Sequence, residues 1–207
     1  MGNNLDKSLF EQFKNTGRDI FLRGLISSHA GNMSIRTGNR MYITKKASIL
    51  GQLNQKDIIE LSLKDADDRI TMASSEVAVH RAIYANTSAL AVVHAHPPYA
   101  TLLSMVESEL IPVDSEGSCL LKKVPVIVVQ KTIGSEEAAS IVSEHLRNYR
   151  IVLLHGHGSF ARGDTLEEAH MLTSSLESSS FFLYHLPQYF KAKRIGRFSD
   201  KYKKLGT

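Results

Sequence analysis

Apolar positions along this chain recur in two periods, and the switch between them marks out its elements. Leu5, Leu9 and Phe13, continued by the apolar positions of 20–25, fall at helical spacing. They predict an amphipathic opening helix that ends before the Gly31-Asn32 break. Segments 33–36 and 41–44 read as short strands joined through Thr37-Gly38-Asn39, a hairpin signal. A third strand is expected over 57–63, stopped by the turn Asp65-Ala66-Asp67-Asp68. Ser74-Ser75 can cap a helix running to about Tyr84, with Val79 and Ile83 as an i,i+4 apolar pair. The apolar run 89–93 leads as a strand into His94-Ala95-His96-Pro97-Pro98, and a helix is expected around 99–106. A strand over 124–129, a helix over 136–149, a strand over 151–154 and a long helix from Thr165 toward Phe190 complete the series.

Strands thus alternate with helices, while the early hairpin demands antiparallel pairing. The pattern predicts an α/β chain with a mixed sheet flanked by helices. No repeat, low-complexity tract or linker divides it, so residues 1–207 are expected to form a single domain, long enough to bury a substantial core.

Charge changes little once it is located. The formal net charge is +4, but residues 191–207 hold seven cations against Asp200, a net +6, which leaves the preceding 190 residues at −2. The basicity belongs to a C-terminal tail, and no nucleic-acid partner is expected without a recognised motif or interleaved stacking aromatics. Cys119, the only cysteine, cannot form an intrachain disulfide. Residues 1–9 contain Asp6 and Lys7 and show no signal-peptide stretch, and no run approaches the ~18 apolar residues of a membrane span. A cytoplasmic protein without a membrane partner is the expectation.

The histidines carry the chemistry. Alternate residues of a strand point to one side, so His94 and His96 can reach one metal ion from one strand end. A second H-x-H, His155-Gly156-His157, follows another apolar strand, and its spacing does not say which histidine joins the first pair. Three neutral imidazoles with a coordination position left free are the ligand set of a catalytic zinc site. Ser74 and Ser75 place hydroxyls beside the unpartnered N–H groups of a helix start, which suits a phosphate or carboxylate. Glu76, expected in the first helical turn, would lie beside that anion as a general base. The backbone at Gly31-Asn32, with residues that readily adopt left-handed conformations, can also approach a phosphate.

The order of these motifs adds to them. Gly31-Asn32-Met33-Ser34-Ile35-Arg36, Ile43-Thr44, Ser74-Ser75-Glu76 with His80 and Tyr84, His94-Ala95-His96-Pro97, His157-Gly158, and the segment 163–169 with Glu177 together resemble the class II aldolase/adducin-head family, in its fuculose-phosphate aldolase-like branch. The resemblance runs from about residue 5 to 190. It implies a three-layer α/β/α sandwich around a mixed, largely antiparallel sheet, commonly a homotetramer with active sites between subunits. It selects His157 over His155, and implies His94, His96 and His157 as ligands of zinc or another divalent metal. Glu76 becomes the acid/base residue, and Gly31, Asn32, Ser74 and Ser75 fall at phosphate-binding positions.

The activity so implied is reversible cleavage of a ketose 1-phosphate, of the fuculose 1-phosphate kind, to dihydroxyacetone phosphate and an aldehyde. The metal serves as Lewis acid and Glu76 moves a proton at the carbon α to the carbonyl. Sugar-phosphate 4-epimerases, a dehydratase and a decarboxylase share the fold and metal site, and non-enzymatic adducin heads share the fold alone. Two departures stand out. Lys46-Ala47 occupies the place of a Ser/Thr-Gly pair in the phosphate loop, and Lys46 is a candidate phosphate contact. Glu116 stands where such aldolases have a tyrosine near the aldehyde, with Tyr189 and Tyr202 as possible substitutes.

Overall fold

The computed structural model describes residues 5–193. The chain opens with helix α1 (Lys7–Leu22) and the strands β1 (Asn32–Thr37), β2 (Arg40–Thr44) and β3 (Ile58–Ser62). Helix α2 (Val77–Asn86), strand β4 (Ala91–Ala95) and helix α3 (Pro98–Ser104) follow. Next come β5 (Glu109–Leu110), α4 (Ser115–Leu120), β6 (Val124–Ile127) and α5 (Glu136–His145). The hairpin β7 (Ile151–Leu154) and β8 (Gly158–Gly163) leads into the long helix α6 (Leu166–Lys193).

The eight strands form one sheet in the order β3-β2-β1-β4-β8-β7-β6-β5. Only β6–β7 is parallel; the other six pairings are antiparallel. Period-two alternation divides most of the strands between two cores. Ala91, Val93 and Ala95 of β4 face Phe13 and Ile20 of α1 and Leu172 and Leu176 of α6, whereas Val92 faces Val79 and Ile83 of α2 and Val142 of α5. Helices therefore cover both faces, and the three-layer α/β/α sandwich with a largely antiparallel sheet is the observed fold.

Three elements escaped the sequence pattern. β8 lies at the centre of the sheet between β4 and β7, with Ser159, Phe160 and Ala161 all fully buried. A strand covered on both faces needs no apolar alternation, and its small residues admit the close approach of α6. β5 and α4 are too short to show a period. Helix α2 starts at Val77, so Glu76 is its N-cap residue rather than part of its first turn. Among the described residues no helix is long and apolar enough to cross a membrane. The basic tail beyond residue 193 lies outside the described residues.

Candidate active site

Strand register builds the site. Asn32 pairs with His94 across β1–β4, and Ala95 pairs with Ser159 across β4–β8, so the start of β1, the end of β4 and the β7–β8 turn meet at one edge. All nine predicted site residues line the cleft found there: Gly31, Asn32, Lys46, Ser74, Ser75, Glu76, His94, His96 and His157.

His94, His96 and His157 each turn a ring nitrogen inward, and the three atoms lie within 4.8 Å of one another. β7 ends at Leu154, so His157 comes from the hairpin turn and not, as the apolar run suggested, from the end of a strand. The Nδ1–H of His94 donates to the Ser159 carbonyl at 2.9 Å, which leaves Nε2 with its lone pair, 2.9 Å from Nε2 of His96. The His94 ring stacks on Phe160 with centroids 4.2 Å apart, which fixes its plane. Burial and then the neighbouring imidazoles hold His94 well below the usual histidine range. Burial brings His96 down to about 4 and lowers His157 as well. All three are thus neutral imidazoles at physiological pH.

The cluster fits a divalent cation of the zinc type. Tetrahedral zinc holds imidazole nitrogens about 3.4 Å apart, close to the spacing available here. Nδ1 of His157 is buried without a hydrogen-bond partner, and the donor set is all nitrogen. His155 is exposed and does not line the cleft; its backbone N–H donates to the Ile127 carbonyl at 2.9 Å.

Glycine at 158 is what lets the hairpin come this close. A Cβ there would stand 2.3 Å from the Ala95 carbonyl oxygen and 2.7 Å from Cδ2 of His96. Behind His96, the Glu177 carboxylate accepts the N–H groups of Tyr99 and Ala100 at 3.0 Å each and anchors the start of α3.

Glu76 is 2% exposed, and burial pushes its carboxyl up to about 7 against the pull of one donor, the Gly134 N–H at 3.2 Å. An acid held near neutrality inside a cleft is suited to proton transfer in either direction. The Ser74 hydroxyl accepts the Glu76 N–H at 3.2 Å; Ser74 is buried and Ser75 exposed.

The other half of the cleft is lined by backbone at Gly31 and Ala47, with lysines at its rim. Gly31 has φ +76°, and a Cβ would meet Ile26 Cγ2 at 2.7 Å. Ala47 also adopts a left-handed conformation, φ +58°, where the family's glycine would be free of strain. Lys45 and Lys46 are exposed beside it.

The sequence reading missed His29, Lys45, Ile133 and Gly134, which belong to or touch the cleft. Gly134 precedes a helix and is brought in by folding alone. Of the three candidates for the aldehyde side, Glu116 and Tyr189 do not line the cleft. Glu116 lies in α4 and accepts from the Ser175 hydroxyl at 2.8 Å, Tyr189 is 55% exposed on α6, and Tyr202 lies outside the described residues.

A model of the class II aldolase and adducin N-terminal domain matches residues 11–182. The chain belongs to that family. It is 33% identical over 161 residues to an L-fuculose phosphate aldolase of Methanococcus maripaludis, covering 76% of this chain and 86% of that protein. The crystal structure of an L-fuculose-1-phosphate aldolase from Thermus thermophilus superposes with a TM-score of 0.86 at 40% identity, covering 89% and 96% of the two chains. A 3-oxo-tetronate 4-phosphate decarboxylase of Haemophilus influenzae is 29% identical over 180 residues, 82% of this chain and 84% of that one. The class II aldolase family is metal-dependent in general, and the enzyme class of this member is that of a lyase.

Proposed function

We propose that this family member is an aldolase that cleaves a ketose 1-phosphate, of the fuculose 1-phosphate kind, to dihydroxyacetone phosphate and an aldehyde, and also catalyses the reverse addition. The observation that carries the reading is the union, in one cleft, of a neutral histidine triad, a carboxyl poised near pH 7 and a backbone loop open to an anion. His94, His96 and His157 hold the metal, zinc in this reading. When bound, it supplies Lewis-acid withdrawal of electrons from the substrate oxygens.

The remaining work falls to the chain. Gly31, Asn32, Ser74 and Ser75 hold the phosphate with N–H and O–H donors, and Lys46 adds a cation at the rim. This tether keeps the reacting carbon beside Glu76, a positioning effect that can supply several kcal/mol. In cleavage, the hydroxyl proton of the departing carbon passes to solvent as the carbon–carbon bond breaks and that carbon becomes the aldehyde, and protonated Glu76 delivers a proton to the α-carbon left behind; ionised, Glu76 removes that proton when the bond is to be formed, and solvent returns one to the new hydroxyl. The Gly134 N–H steadies the ionised form. A cytoplasmic homotetramer of single-domain subunits, with the aldehyde side completed by a neighbouring subunit, belongs to the same reading.

The decarboxylase relative supports a second reading, in which the exposed Lys45 and Lys46 meet an oxidised sugar phosphate. Zinc-loaded protein incubated with L-fuculose 1-phosphate and ribulose 1-phosphate, with enzymatic detection of triose phosphate, separates the two. Release of dihydroxyacetone phosphate is expected. No triose phosphate from either, together with carbon dioxide from 3-oxo-tetronate 4-phosphate, would replace the aldolase by the decarboxylase.

A further inference from the structure

Glu76, His80 and Tyr84 lie four residues apart, at the start of α2 and along it, so one face of that helix carries all three. Glu76 lines the cleft, and the other two belong to a series of buried polar atoms behind it. The hydroxyls of Tyr84 and Ser34 are 2.7 Å apart, Ser34 Oγ lies 2.6 Å from His80 Nδ1, and His80 Nε2 lies 2.7 Å from Oδ1 of Asn32. Ser34 and His80 are fully buried and Tyr84 nearly so. Apolar side chains at 34, 80 and 84 would fill this space without the cost of desolvating polar groups, so packing alone does not account for the series.

The series has a direction. Burial lowers His80 to about 3, so its ring carries a single proton and offers one donor and one acceptor. Tyr84 O–H has Ser34 Oγ as its acceptor, and no other hydrogen-bond partner of that hydroxyl is found among the described residues. The Ser34 hydrogen then goes to Nδ1, the imidazole proton sits on Nε2, and that N–H donates to Asn32 Oδ1. Reversing the order would leave the Tyr84 hydrogen without an acceptor.

We infer that His80, backed by Ser34 and Tyr84, is a positioning residue for the phosphate end of the cleft. It holds the Asn32 carboxamide by its oxygen, and so keeps the Nδ2 hydrogens, and not an oxygen lone pair, available to an anion. This inference rests on the phosphate-binding reading of Asn32 proposed above. Unpinned, the amide can turn, and the oxygen it would then offer repels a phosphate. His80 touches no substrate in this account; it acts through Asn32.

Calorimetric titration of the zinc-loaded protein with inorganic phosphate reads the effect without turnover. Asn32→Ala is expected to weaken phosphate binding about ten-fold or more, and His80→Leu nearly as much, with the double variant no weaker than Asn32→Ala alone. His80→Gln, whose amide can restore a donor near the Nε2 position, is expected within about three-fold of the unsubstituted protein. Unchanged affinity in Asn32→Ala would remove the phosphate reading itself. Weakened binding in Asn32→Ala with none in His80→Leu would leave that reading standing and overturn the role of His80. A second measure needs no variant beyond those that assign the resonance: nitrogen-15 spectra of the histidine rings are expected to show His80 as the Nε2–H tautomer, and the Nδ1–H tautomer would overturn the inference.

Discussion

A carboxyl buried beside one N–H donor can change its protonation state near neutral pH, and this is what Glu76 would bring to the proposed reaction. Glu76→Gln keeps the size and the contact with Gly134 but cannot take a proton. It is expected to retain metal, measured by elemental analysis, while losing about 100-fold or more of turnover. The pH dependence follows from the direction of the shift. Removal of a proton from dihydroxyacetone phosphate needs the ionised carboxylate, so solvent deuterium exchange should rise with pH to a plateau. Its midpoint is expected at or below about 7, because a bound cation nearby favours the carboxylate. A rate that fell as pH rose through this range would assign the base elsewhere. The triplet Ser74-Ser75-Glu76 was legible as a helix start with an acid; its burial, and hence its raised pKa, was not, since the contact with Gly134 spans 58 residues of chain.

At the scale of elements, the β7–β8 hairpin decides which histidine completes the triad. Two H-x-H pairs at strand ends offered His155 and His157 equally by spacing, and only the family resemblance preferred the second. In the fold, the turn leaves His155 exposed and directs His157 toward His94, with ring centroids 4.9 Å apart. The close contact of Gly158 with β4 holds this arrangement. Gly158→Ala forces the turn away from the Ala95 carbonyl, and is expected to cost about 2–3 kcal/mol in urea unfolding and to lower metal content below half. His155→Ala is expected to bind metal normally. Loss of metal in His155→Ala, with none in Gly158→Ala, would reverse the ligand assignment. β8 itself was hidden from the pattern because a central strand between two helix layers is buried on both sides.

For the whole molecule, the cluster of neutral imidazoles makes the metal-free fold sensitive to acid. His80, His94 and His96 have folded pKa values far below the ~6.5 of an unfolded chain, so the unfolded state binds more protons as pH falls through that value. Stability is therefore present above about pH 6.5 and lost on acidification toward 4. Glu76, with its raised pKa, has the opposite sign between about 4.5 and 7. Near pH 5 the three histidines favour unfolding by about three protons and Glu76 returns about one, a net slope on the order of 3 kcal/mol per pH unit. Urea unfolding of chelator-treated protein at pH 5, 6 and 7 checks this; a stability that was flat or rising toward pH 5 would contradict it.

The same scale separates what was readable from what was not. Periods of 2 and 3.6 are local properties of the chain, so most strands and helices, the shared side of His94 and His96, and the ordered motifs of the family could be read before any fold was known. Contacts between distant segments have no local period. Antiparallel pairing of β4 with β8 brings residue 157 to residues 94 and 96, and the pairing of β1 with β4 sets Asn32 beside the histidine cluster. Burial between the layers then sets the charge state of His80, His94 and Glu76, because the cost of desolvating a charge depends on which layers close over it.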